Sequence, residues 1–162
     1  MRYFLYTYAV PQNWDITCRS GVFGTKKDNT GLPTKVKQLR RGDIILIRDG
    51  SKEKLEFFGC CRVSGDVFDH HAYSPFRDFL WHDESLEQRV IYPLRVAVDT
   101  KDVPTFSFEA VTWASLDSLG FRNADGQPLR GQQAWGKKLV GNFIEAPNEL
   151  QAFSRLVGAA AV

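Results

Sequence analysis

The segment Asp43-Ile44-Ile45-Leu46-Ile47-Arg48 constrains this chain more than any other. An unbroken aliphatic run of that length, with no polar alternation, reads as a strand buried on both faces. Asp49-Gly50 follows at once and is a hairpin signal. Lys54 to Ser64 then reads as the returning strand. The chain is therefore built around a sheet with an antiparallel pair at its heart.

The remaining elements are arranged around that pair. Arg2 to Val10 alternates aromatic and aliphatic residues and reads as a strand, and Arg89 to Val98 is a second segment of strong β composition. Pro11-Gln12-Asn13-Trp14 opens a short helix running to about Arg19, since a proline near the first helical position loses nothing by lacking an N–H. Ser20 to Leu32, with Gly21, Gly24 and Gly31, reads as a loop, followed by one helical turn over Pro33 to Gln38. A long loop is expected from Gly65 to Gln88, and such loops are commonly functional. Phe108 to Leu119 reads as a helix, Asn123 to Gln133 as loop, Leu139 to Ile144 as a strand and Pro147 to Leu156 as a closing helix. Strands and long helices do not alternate strictly. That argues against a doubly wound sheet and for an α+β fold: a curved, mostly antiparallel sheet or barrel with short helices at its ends.

At 162 residues the chain is expected to form one domain over 1–157, with the small apolar tail 158–162 as an end or the start of a linker. Three cysteines, two of them adjacent at Cys60 and Cys61, do not make a disulfide framework. With no secretory pattern at Met1-Arg2-Tyr3-Phe4 and no apolar run of membrane-spanning length, a cytoplasmic protein away from the membrane is expected. The net charge of +2 conceals an asymmetry. Residues 19–62 carry eleven Lys/Arg against five Asp/Glu, whereas residues 66–117 carry four against ten. Two readings stand: a basic face for a polyanion beside an acidic face kept off it, or ordinary solvated charge.

Motifs for catalysis are lacking. No phosphate-binding glycine loop, zincin helix or nucleophile elbow is present. His70, His71 and His82 lie near Asp66, Asp69 and Asp83, but adjacent histidines rarely reach one ion and no zinc-finger spacing occurs, so neither metal nor cofactor is expected. Cys60 and Cys61 have no identifiable base and read as buried strand residues.

Three aromatics fall outside the expected strands and helices: Phe23 in Gly21-Val22-Phe23-Gly24, Trp81 in the acidic loop, and Trp135 after Gly131-Gln132-Gln133-Ala134. Flat side chains from separate loops either form a cage that stacks on a planar group or anchor their loops by packing inward. Stacking a base on one aromatic contributes about 1–3 kcal/mol.

Those residues belong to an ordered series that resembles an EVE domain. Its first half is Tyr3-Phe4-Leu5, Asn13-Trp14, Gly21-Val22-Phe23-Gly24, Asn29 and Leu39-Arg40-Arg41-Gly42-Asp43. Phe58-Gly59-Cys60-Cys61-Arg62-Val63, Trp81-His82-Asp83 and Tyr92-Pro93-Leu94-Arg95-Val96 continue it. Trp135-Gly136-Lys137-Lys138-Leu139-Val140-Gly141 and Ile144-Glu145-Ala146-Pro147 close it. The likeness covers residues 2–157. It implies a PUA-like fold related to YTH domains, and a module that reads modified bases: methylated or hydroxymethylated cytosine, or N6-methyladenine, flipped into an aromatic cage. Such modules occur alone and in modification-dependent restriction systems, where a nuclease or GTPase, fused or separate, acts as effector.

Carried over by position, the resemblance implies that Phe23 and Trp81 are cage walls, with Trp135 a third. Asn13 hydrogen-bonds the base, and Asp83 accepts from an exocyclic amine. Phe23 stands where the family usually has Trp, which shrinks the stacking surface and removes an indole N–H. Phosphate contacts are expected from the densest basic segment, Lys26, Lys27, Lys35, Lys37, Arg40 and Arg41. A DNA reader is the first expectation. The alternatives are a YTH-like RNA reader, a nucleobase-acting enzyme, and an interaction domain whose loop aromatics pack inward.

Overall fold

The computed structural model describes residues 2–26, 36–69, 79–106, 112–118, 122, 125–131, 133 and 144–146. Six strands form one open sheet: β1 (Tyr3–Tyr8), β2 (Val22–Thr25), β3 (Ile44–Asp49), β4 (Phe57–Asp69), β5 (Leu94–Asp99) and β6 (Ile144–Ala146), in the order β2-β5-β4-β3-β1-β6. β1 and β3 are parallel, with Tyr3 opposite Ile44 and Tyr8 opposite Asp49. The other four pairings are antiparallel. Short helices accompany the sheet, among them α1 (Gln12–Ser20), α2 (His82–Glu87) and α3 (Trp113–Asp117). The fold is α+β, as expected, and no helix among the described residues is long and apolar enough to cross a membrane.

The aliphatic run behaves as its sequence dictates. Every residue of β3 is buried, and β4 returns beside it after the Gly50 turn. Alternation then sorts the side chains. Phe4, Tyr6 and Tyr8 of β1 join Ile45 and Ile47 of β3, Cys61 and Val63 of β4, and Val96 and Val98 of β5 in one cluster. The intervening Leu5, Ile44, Leu46 and Cys60 are buried too, so the central strands are covered on both sides. Burial pushes the Cys60 thiol up to about 11, and the three cysteines are free.

β4 makes the sheet curl. Its register shifts twice, between Ile47 and Arg48 on the β3 side and between Val63 and Val67 on the β5 side. Such irregularities bend a strand and raise its twist. The consequence is measurable. β2 and β1 are separated by β5, β4 and β3, and four inter-strand steps would place them roughly 19 Å apart in a flat sheet. Yet the Phe23 ring of β2 meets Tyr6 edge-on at 5.2 Å and lies parallel to Tyr8 at 6.1 Å.

Several expectations are corrected here. Val22–Thr25 is a fully buried strand paired with β5, not part of a glycine loop. Its start is set by Gly21, whose φ of 68° caps α1 while its N–H donates to the Thr17 carbonyl. The expected long loop is shorter at both ends, because β4 runs on to Asp69 and α2 occupies His82–Glu87. β5 begins only at Leu94, after Pro93. Of the helix expected over 108–119, Trp113–Asp117 is helical as α3; the strand expected over 139–144 meets β6 only at Ile144, its residues 139–143 lying outside the described ones. The closing helix over 147–156 lies outside the described residues.

Candidate nucleic-acid interface

A cavity of about 360 Å3 opens beside the end of β1. β1 contributes Tyr6, Thr7 and Tyr8, with Ala9 just beyond; α1 contributes Asn13; the end of β2 contributes Gly24 and Lys26. Gly50 of the hairpin turn, Trp81 at the head of α2, and Tyr92 ahead of β5 complete the wall. The volume lies at the lower end of small-molecule sites, enough for one compact planar group. The lining is aromatic and neutral, with a few polar atoms and one cation, Lys26, which is exposed.

Trp81 is almost fully buried, at 1% exposure. The Arg95 guanidinium sits over its ring at 4.8 Å, and Tyr92 meets it edge-on at 5.4 Å. Gly24 is what lets it approach β2. A Cβ at that position would lie 2.7 and 2.8 Å from Trp81 Cζ3 and Cζ2, and closer still to Cη2.

Beneath Trp81 lies a polar hub. Glu84, with no solvent exposure, stands at the third position of α2 and reaches back to the helix start, half of a capping box. Its Oε1 accepts from the N–H groups of Leu80 (3.0 Å) and Trp81 (3.2 Å), and its Oε2 from those of Ile91 (2.7 Å) and Tyr92 (3.0 Å). Arg95, equally buried, pairs with it at 3.2 Å and donates through Nε to the Tyr92 carbonyl at 3.1 Å. A carboxylate bound by four backbone donors and a guanidinium fixes the path of the chain from Leu80 to Tyr92.

A second network joins α1 to α2. Asn13 Oδ1 accepts from the His82 N–H (2.9 Å), and its Nδ2 donates to Asp83 Oδ1 (3.0 Å). The Tyr92 hydroxyl donates to Asp83 Oδ2 (2.6 Å). Burial is the main cause that raises the Tyr92 hydroxyl above its ordinary range, with the Asp83 carboxylate second. Tyr6 is likewise raised by burial.

Of the residues singled out in the sequence, Asn13, Lys26 and Trp81 come together at the cavity. Asp83 stands behind it, holding Asn13 and Tyr92 rather than forming the wall. Phe23 has no exposure and does not line the cavity; it packs against Tyr6 and Tyr8, which do line it. Alternation along β2 is the reason: Phe23 and Gly24 point to opposite faces, Gly24 to the cavity and Phe23 into the core. Trp135, Lys27 and Lys35 lie outside the described residues. Lys37, Arg40 and Arg41 are exposed, but Arg40 is tied by its N–H to Asp43, beside Arg2, at the Tyr3 end of β1. The cavity is at the Tyr8 end, about 16 Å of strand away. Among the described residues no group of three His, Cys, Asp or Glu side chains is placed to hold a metal ion.

Tyr6, Tyr8, Tyr92, Glu84 and Arg95 were given no role at the site from the sequence, although Tyr92 and Arg95 belong to the ordered series of motifs. The two tyrosines share a face with Phe4 by strand alternation, a signal that speaks for core and cavity equally.

No family model matches the chain, and no curated protein matches it. Solved structures do. The Pho92 YTH domain in complex with m6A superposes with a TM-score of 0.58 at 14% identity, covering 99% of this chain and 88% of that one. Human THYN1 in complex with DNA containing 5-methylcytosine gives 0.55 at 11% identity, covering 94% and 95%. The Toxoplasma CPSF4 YTH domain in complex with a 7-mer m6A-modified RNA gives 0.52 at 16% identity, covering 97% and 90%. At these identities the likeness is one of fold.

Proposed function

We propose that this chain is an EVE-type reader of modified nucleobases, a single binding domain over residues 1–157 and not itself an enzyme. The observation that carries this reading is the aromatic cavity of about 360 Å3, walled by Tyr6, Tyr8, Trp81 and Tyr92 and furnished with Asn13. Structures of the same fold in complex with m6A and with 5-methylcytosine DNA support it.

The mechanism follows from what a duplex hides. A base must leave the stack to enter a cavity, at a cost of a few kcal/mol. Stacking against Tyr8 and Trp81, at about 1–3 kcal/mol per aromatic contact, offsets that cost. Burying one methyl group adds only about 0.8 kcal/mol, so discrimination rests on polar groups that the wrong base leaves unpaired. In this reading Lys26, which lines the cavity, contacts the adjoining phosphate, and the exposed Lys37, Arg40 and Arg41 contact backbone further along.

DNA is the preferred polymer in this reading, with a cytoplasmic defence role in which a fused or separate nuclease or GTPase acts on what the domain recognises. RNA is the second reading, favoured by the YTH structures bound to m6A RNA. Affinities for matched DNA and RNA carrying no modification, 5-methylcytosine, 5-hydroxymethylcytosine or N6-methyladenine, at one fixed salt, test both. A preference of tenfold or more for one modification on one polymer is the expected result. Equal affinity throughout would overturn the reading.

A further inference from the structure

The two oxygens of the Asp83 carboxylate carry two groups of the cavity wall, Asn13 on one and Tyr92 on the other. Their polarity is fixed by this arrangement. Asn13 cannot turn its amide over, because Oδ1 is engaged by the His82 N–H and Nδ2 by Asp83. A phenol has one hydrogen, and that of Tyr92 is spent on Asp83 at 2.6 Å. What Tyr92 offers the cavity is therefore lone pairs alone, and what Asn13 offers beside it is the second hydrogen of Nδ2.

We infer that Tyr92, oriented by Asp83, is a specificity residue that accepts a hydrogen bond from an exocyclic N–H on the ring held in the cavity. This rests on the reader function proposed above. It moves the accepting role from Asp83 to Tyr92 and makes Asp83 a positioning residue. The ligand class is a planar heteroaromatic with an N–H beside a ring acceptor that meets Asn13. A ring with an ether oxygen in place of that N–H sets two lone pairs against each other. The raised pKa of Tyr92 agrees with a hydroxyl that keeps its proton.

Asp83→Asn has an unusual consequence. The new amide must turn its oxygen to Asn13 Nδ2, so its NH2 faces Tyr92 Oη. The hydroxyl hydrogen then points away from residue 83 and the wall changes from acceptor to donor.

The experiment compares oligonucleotide pairs on the polymer the protein binds: N6-methyladenine against 6-methoxypurine, which exchange N–H for oxygen alone, and 5-methylcytosine against O4-methylthymine, which exchange an amino for a methoxy group, with N4,5-dimethylcytosine as the control for the added methyl. The wild-type protein should favour the N–H member of the bound pair by roughly tenfold, the scale of one buried hydrogen bond. Tyr92→Phe should bring that ratio to about one, and Asp83→Asn should bring it below one, with both variants shown folded by circular dichroism. If Tyr92→Phe keeps the tenfold ratio while Trp81→Ala loses preference for the modified base, the cavity is a reader and Tyr92 does not read the N–H. If neither pair binds better than unmodified controls, the reader function fails and this inference with it.

Discussion

The indole of Trp81 lies against the backbone of Gly24, so close that the glycine has no room for a Cβ. Gly24 is not in the left-handed region, so it is required for this approach and not for its backbone angles. Gly24→Ala should therefore fold but displace Trp81. Overpacking of this kind costs about 1–3 kcal/mol. Urea unfolding should show a loss of that size, and binding should show loss of preference for the modified base. A variant with unchanged preference would mean that Trp81 is not a wall of the site.

Phe23 and Tyr8 lie parallel, but only Tyr8 faces the cavity. Phe23→Leu should lower stability while leaving the ratio of modified to unmodified affinity within about twofold. Tyr8→Leu should lower that ratio by roughly tenfold, the loss of one stacking contact. Denaturation and binding titrations on both variants check the pair.

Glu84 should matter more for stability than any surface carboxylate. Glu84→Gln keeps the shape but leaves Arg95 without its countercharge and one or two buried N–H groups without an acceptor. Breaking a buried ion pair from one side costs about 3–5 kcal/mol. In a domain of this size that lowers Tm by roughly 2–4 °C per kcal/mol. Calorimetry showing a fall under about 3 °C would contradict the role given to this hub.

Lys26 and Arg40 are expected to differ in kind. Lys26→Ala should weaken binding to modified and unmodified DNA alike and flatten the slope of log affinity against log salt by about 0.9, one phosphate contact. Arg40→Ala with Arg41→Ala should leave a short oligonucleotide centred on the modified base unaffected and weaken only longer ones. Salt titrations with two oligonucleotide lengths separate the two effects.

Much of this architecture was legible in the sequence because it is local. β1, α1 and the β3–β4 hairpin are announced by alternation, by Pro11 and by Asp49-Gly50. β2 was not legible, since four residues that follow one glycine and contain another become a strand only by pairing with β5, some seventy residues on. Asn13 and Trp81 were legible as candidates and lie at the cavity, but the inward packing of Phe23 was not legible, because only a strand over Val22–Thr25 turns it away from the face that Gly24 presents. Asp83 and Glu84 look alike in an acidic segment. Only the fold separates them, by setting Arg95 eleven residues along the chain against Glu84 and Asn13 of α1 against Asp83.

Recognition of a modified base rests on Trp81 as a wall of the cavity. The ratio of Kd for unmodified over modified oligonucleotide should be measured at one fixed salt for the wild-type protein and for Trp81→Ala. The predicted result is a ratio of tenfold or more that falls close to one in the variant, with weak, salt-sensitive binding remaining. A ratio that survives the loss of Trp81 would contradict it.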